Sequence, residues 1–157
     1  MSISKQIAKH FGEVNFGGNW TWSNLKDTLA DVTWQQATTQ VYSFNTIAVL
    51  TYHVGYFVTA VLEVLHGRPL SASDKFSFTH PPINSEKDWQ DMLAKLWAEA
   101  EEFATLVEQL PDEKLWEVFT DEKYGIYYRN LHGIIEHTHY HLGQIALIKK
   151  IVQGKEK

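Results

Sequence analysis

A chain of 157 residues that is 44% apolar and 13% aromatic has the material for one self-sufficient core spanning 1–157, and its composition is not that of a disordered segment. Its formal charge of −5, with 14 scattered Lys and Arg, argues against a nucleic-acid partner, and the absence of Cys excludes disulfides, thiolate nucleophiles, Cys-ligated zinc and iron–sulfur clusters. No apolar leader with a small-residue cleavage site opens the chain and no run approaches the roughly 18 apolar residues of a membrane span, so a cytoplasmic protein without a membrane partner is expected.

The first region is irregular. Residues 2–11 form a helical pattern expected to break at Gly12, Phe16-Gly17-Gly18-Asn19 reads as a loop, and Ser23 to Asp31 is a shorter amphipathic stretch. Trp20, Trp22 and Leu25 are expected to seal one end of the fold. A second helix is predicted from near Ser43 to Asn45, with apolar residues at Ile47, Leu50, Val54, Phe57, Val61 and Leu65 spaced alternately three and four apart. Gly67-Arg68-Pro69 ends it, because glycine supplies a left-handed cap and proline cannot continue a helix. The connection to Asn84 runs roughly 18 residues, longer than most helix–helix loops, and is expected to cross the fold or cover a site.

A third helix opens with a capping box at Ser85-Glu86-Lys87-Asp88 and repeats through Trp89, Leu93, Leu96, Ala100, Phe103, Val107 and Leu110 until Pro111. A short helical turn is predicted at Asp112 to Trp116 and a turn at Asp121 to Gly125. The last helix is predicted from about Tyr128 to Gln153, and the basic tract Lys149, Lys150, Lys155 and Lys157 complements the negative pole at its end. Long amphipathic helices with no strand pattern between them predict an all-α four-helix bundle.

Histidine is what remains for metal chemistry. There are eight, and His132, His137, His139 and His141 fall within one short stretch of the last helix. Leu131, Ile134, Thr138, Ile145, Ile148 and Val152 mark that helix's buried stripe, and His137 and His141 lie along it with Gln144. Their i, i+4 spacing stacks two imidazoles on one face, within reach of one ion at the roughly 2.0–2.1 Å of zinc–nitrogen bonds. His53, three residues after Leu50 and four before Phe57, borders the interior and is the third candidate ligand. Three neutral imidazoles with an open fourth position are a catalytic type of metal site, where a bound water can be acidified. A single histidine beside an apolar stripe is otherwise a hydrogen-bonded core residue. His139 lies about 200° around the helix from His137 and is assigned to surface or interface. His10, His66, His80 and His132 are assigned no role, although His80 in the long connection lies where it could reach a site mouth.

The run His137-Thr138-His139-Tyr140-His141-Leu142-Gly143-Gln144-Ile145 resembles the signature of the DinB-like superfamily: His, two variable residues, Tyr, His, any residue, Gly, Gln, Ile. A second match lies in Ile47 through Gly67, where the family places a ligand His mid-helix and closes with Leu-x-Gly, here Leu65-His66-Gly67. The superfamily also includes bacillithiol and mycothiol transferases. The resemblance implies a DinB-like bundle, a divalent metal, zinc or nickel, at His53, His137 and His141, and frequent homodimers. It leads to the expectation of a metal-dependent enzyme, a thiol S-transferase in detoxification or stress response with a low-molecular-weight thiol as co-substrate, or less readily a hydrolase. Gln144, Tyr140, Tyr56 and Glu136 are the nearby polar candidates for supporting the ligands. The rival is a non-catalytic dimeric bundle with a structural metal or none, and Trp20, Trp22 and Trp34 then suggest a dimer surface on the first two helical regions.

Overall fold

The computed structural model describes residues 2–154. Lys155 and Lys157 of the basic tract lie outside the described residues. Helices occupy Ile3–Phe16 (α1), Leu25–Leu29 (α2), Trp34–Thr38 (α3), Ile47–Leu65 (α4), Asp74–Ser77 (α5), Glu86–Gln109 (α6) and Tyr127–Val152 (α7), with two short 3₁₀ turns at Asp112–Trp116 and Glu122–Tyr124. No strand occurs among the described residues; one isolated antiparallel bridge joins Val118 and Ile126.

The long helices α1, α4, α6 and α7 form the predicted four-helix bundle, α1 and α4 each packing against both α6 and α7. Two apolar clusters fill it. One joins Phe11 of α1, Val58 of α4, Phe103 of α6 and Leu131 of α7, with the rings of Phe11 and Phe103 4.2 Å apart. The other joins Leu25, Val54, Trp89 and Ile145. Along α7 the first cluster ends at Ile135 and the second begins at Leu142, so the residues between them form a more polar layer across the bundle.

Local chemistry explains the boundaries. α1 continues through Gly12 and stops at Gly17, whose φ of 111° suits glycine and few other residues. Thr46, one residue past the predicted cap, accepts from Val49 N–H and starts α4. α4 closes as predicted around Gly67: Arg68 N–H donates to Glu63 C=O and Gly67 N–H to Val64 C=O, a Schellman arrangement. At α6, Ser85 Oγ accepts from Asp88 N–H, while the Asp88 carboxylate accepts from Ser85 Oγ–H and reaches back to Asn84 N–H instead of the Ser85 N–H of a capping box. α7 begins at Tyr127, one residue before its predicted start.

Two further expectations are overturned. Trp20 and Trp22 do not seal an end: they are 94% and 90% exposed, while Leu25 is fully buried. Gly17 and Gly18 both take positive φ, and the loop they form carries the indoles outward. Trp34, grouped with them for a dimer surface, is partly buried against the second cluster in α3, a helix the sequence reading missed. Finally, α4 does reach span length: an 18-residue stretch of it averages a hydropathy of 1.6, because its many Val, Leu and Ile outweigh Thr, Tyr and His, and Glu63 is its one charged residue. It is nevertheless the core helix of the bundle, with 61% of that stretch buried.

Candidate metal centre

The layer between the clusters holds the three predicted histidines. His53 comes from the middle of α4, four residues after Val49 and one before buried Val54, and α4 turns it toward α7. His137 and His141 lie one helical turn apart on α7, flanking buried Thr138. His53 and His141 are 5% and 7% exposed; His137 is half-buried. The three rings form a nearly equilateral triangle, with centroids 4.7 Å apart for His53–His137, 4.7 Å for His53–His141 and 4.5 Å for His137–His141. One nitrogen from each lies within 4.8 Å of the others, which positions them to bind one metal ion.

Two outer contacts decide which nitrogens face inward. Ser77 Oγ donates to Asp74 C=O at 2.9 Å, so it accepts from His53 Nδ1–H at 2.9 Å. Gln144 Oε1 is an acceptor and takes the Nδ1–H of His141 at 2.7 Å. Both rings therefore keep the Nδ1–H tautomer, leaving their Nε2 lone pairs free to ligate. His137 Nε2 approaches His53 Nε2 to 2.9 Å. With the His53 lone pair there, only a proton on His137 Nε2 or a cation between the rings makes that approach attractive. Buried His137 Nδ1 has no hydrogen-bond partner in either case, an unused acceptor with the proton on Nε2 and an unused donor with a cation there. The donor set thus fits a cation.

The electrostatics agree. Burial, then the neighbouring His141 and His53, push His137 down to about 4. Burial and His141 lower His53 against an opposing contribution from Ser77, and burial lowers His141 against one from Gln144. All three are therefore neutral at pH 7, the form that binds metal. Aromatic rings close the site: Phe78 stacks on His53 at 3.9 Å, and Phe57 meets His53 and His137 edge-on at 5.2 and 5.1 Å.

The supporting candidates divide. Gln144 contacts His141 directly. Tyr140 is exposed, its ring edge-on to His141 at 4.9 Å, and Glu136 is exposed on the outer side of α7. Tyr56 acts at one remove: its hydroxyl accepts from Ser73 N–H at 2.9 Å, fixing the start of α5, the turn that carries Ser77. Ser77 itself was missed, since nothing in its flanking sequence marks it; the unusual length of the connection was the available signal. His139 faces away from the triad and accepts from the Asn19 amide at 3.2 Å. His80 does not join the triad; its Nδ1–H donates to Pro81 C=O at 2.7 Å and its ring lies near Tyr52. His66 pairs with Glu102 at 2.9 Å.

No curated protein and no solved structure matches the chain. The sequence model of the DinB superfamily matches residues 19–145, a span that carries α2 through α6, most of α7, all three clustered histidines and Gln144. The chain belongs to the DinB superfamily.

Proposed function

We propose that this protein is a divalent-metal-dependent enzyme in which His53, His137 and His141 hold zinc or nickel, and that its reaction is transfer of a low-molecular-weight thiol to an electrophile. The observation that carries the reading is the convergence of three neutral imidazoles, two of which are oriented by outer contacts, His53 by Ser77 and His141 by Gln144. A divalent ion held there supplies a Lewis acid that lowers the pKa of a coordinating thiol or water.

Two points about the chain's own residues support thiol chemistry over hydrolysis, beyond the pull that three neutral ligands on a dication would exert on any anionic fourth partner, thiolate or hydroxide. Among the described residues no carboxylate joins the cluster, and Glu136, the carboxylate among the candidate supporting residues, is exposed. Phe57 and Phe78 pack on the histidine rings and exclude water from one side, which suits sulfur better than hydroxide. In the reaction, the thiol loses its proton, its sulfur forms a bond to an electrophilic carbon, and the leaving group departs with the bonding pair.

The test is consumption of N-acetylcysteine in the presence of monobromobimane or 1-chloro-2,4-dinitrobenzene. The expected result is a rate above the uncatalysed background with metal-loaded protein, lost on chelation and in His137→Ala, and restored to the chelated wild type by zinc or nickel. Background rates throughout would remove the transferase reading.

A second reading has its own observation. Trp22 holds a left-handed backbone, φ 57°, while its side chain and that of Trp20 stand in solvent. An aromatic pair displayed at that cost favours an interaction role, a homodimer in the first instance. Sizing chromatography at micromolar concentration checks it: a dimer that Trp20→Ser with Trp22→Ser dissociates supports the role, and a monomer removes it.

A further inference from the structure

Away from the triad, α4, α6 and the connection between them enclose a cleft of about 610 Å³, the size of a small-molecule site. None of the three histidines lines it. Its walls are apolar and aromatic, from Tyr52, Tyr56, Pro82, Met92 and Leu96. Gly55 belongs to this lining, and a Cβ built there would come within 3.3 Å of Leu96 Cδ1, so α4 and α6 meet closely at its base.

Two further observations give the cleft a chemistry. Thr51, another lining residue, is only 1% exposed, and its Oγ1 has no hydrogen-bond partner. A threonine in a helix usually satisfies its hydroxyl on the preceding turn, as Thr59 does on Gly55 C=O at 3.0 Å. A buried hydroxyl left unpaired is destabilising unless something else meets it. The rim, meanwhile, is acidic: Glu63, Asp88, Asp91 and Glu99 face one ammonium, Lys95. Lys95 and Thr59 both bind Glu99, at 2.6 and 2.7 Å. Arg68 and Lys87 pair with Glu63 and Asp91 from outside the lining, as exposed ion pairs of the kind that water largely screens.

We propose that this cleft is a second binding site, for a small organic amine: an aryl or alkyl body between Tyr52, Met92 and Leu96, an ammonium at the acidic rim, and a hydroxyl-bearing end on Thr51. The cleft reaches the triad's surroundings through Tyr56, which lines it and also anchors Ser73 at the start of α5. The site stands on its own residues and does not depend on the metal reading.

Methionine supplies a local reporter, since the chain has only two and Met92 lines the cleft. With methyl-labelled methionine in the full chain, 4-phenylbutylamine is expected to shift the Met92 methyl resonance saturably, with an affinity at least tenfold above that of 4-phenylbutanoate. 4-(4-Hydroxyphenyl)butylamine binds about fivefold tighter still, a gain that Thr51→Val abolishes while leaving the fold at least as stable. Asp91→Lys, a surface change that leaves folding intact, narrows the gap between amine and acid. A Met92 methyl unmoved by millimolar amine overturns the proposal, as does equal binding of the acid. Self-association that buries Met92 and resists the amine also overturns it, by giving the cleft to a second copy of the chain.

Discussion

Trp89 and His137 are both polar-edged rings set into the interior of one bundle, and their surroundings treat them in opposite ways. Trp89 is fully buried in the second apolar cluster, and its single donor, Nε1–H, is spent on Val32 C=O at 2.8 Å. His137 sits in the layer between the clusters with one nitrogen unpartnered and the other against a second histidine. A paired buried polar group fastens a fold at little cost, whereas convergent bases without an acid among them weaken it. The first arrangement serves the bundle, and the second is positioned to bind a metal ion.

The contrast is sharpest under mutation. Trp89→Ala should lower unfolding free energy by about 3–5 kcal/mol through lost packing and an orphaned Val32 carbonyl. Denaturant titration measures it; a loss comparable to that of His137→Ala in the metal-free protein would erase the distinction between core and site. Next in size, Ser77→Ala and Gln144→Leu should each weaken metal affinity by roughly 10–100-fold, because the ring each one holds is free to turn. Competition against a chromogenic chelator reads this, and unchanged affinities would mean that the two contacts do not orient ligands.

Acid provides a milder probe. The three triad histidines are harder to protonate folded than unfolded, so below pH 6.5 the unfolded chain takes up more protons. Stability of the metal-free protein therefore falls with pH from 6.5 toward about 4, the value to which His137 is pushed. Melting temperature across that range checks it, and a flat profile would contradict neutral burial. The smallest effect belongs to the exposed indoles: Trp20→Ser should change stability by no more than about 0.5 kcal/mol.

The same contrast separates what could be read from sequence from what could not. The repeat from Trp89 to Leu110 appeared as one buried face, and it is buried as far as Val107, with Leu110 half-buried at the cap, because period and burial are two views of one helix surface. His53, His137 and His141 were legible for the same reason: helix registers fixed their direction. What failed was set by contacts between distant segments. Ser77 matters only because the connection folds back onto α4. The five-residue α3 has a capping box at Thr33 and Gln36, but it also leans on Glu86, which accepts from Trp34 N–H at 3.1 Å. Lys149, read as a complement to the helix pole, in addition pairs with Asp31 and donates to Thr28 C=O, tying α7 to the segment around α2. Trp20 and Trp22 were misplaced because hydrophobicity does not fix burial in a loop turned by two glycines.

Elemental analysis of the purified, untagged protein beside a His137→Ala, His141→Ala double variant tests the central claim most directly. The account predicts about one equivalent of zinc or nickel per chain in the first and almost none in the second, with both folded. Wild-type protein that takes up no divalent metal, even after reconstitution, would contradict it and leave the triad as core packing.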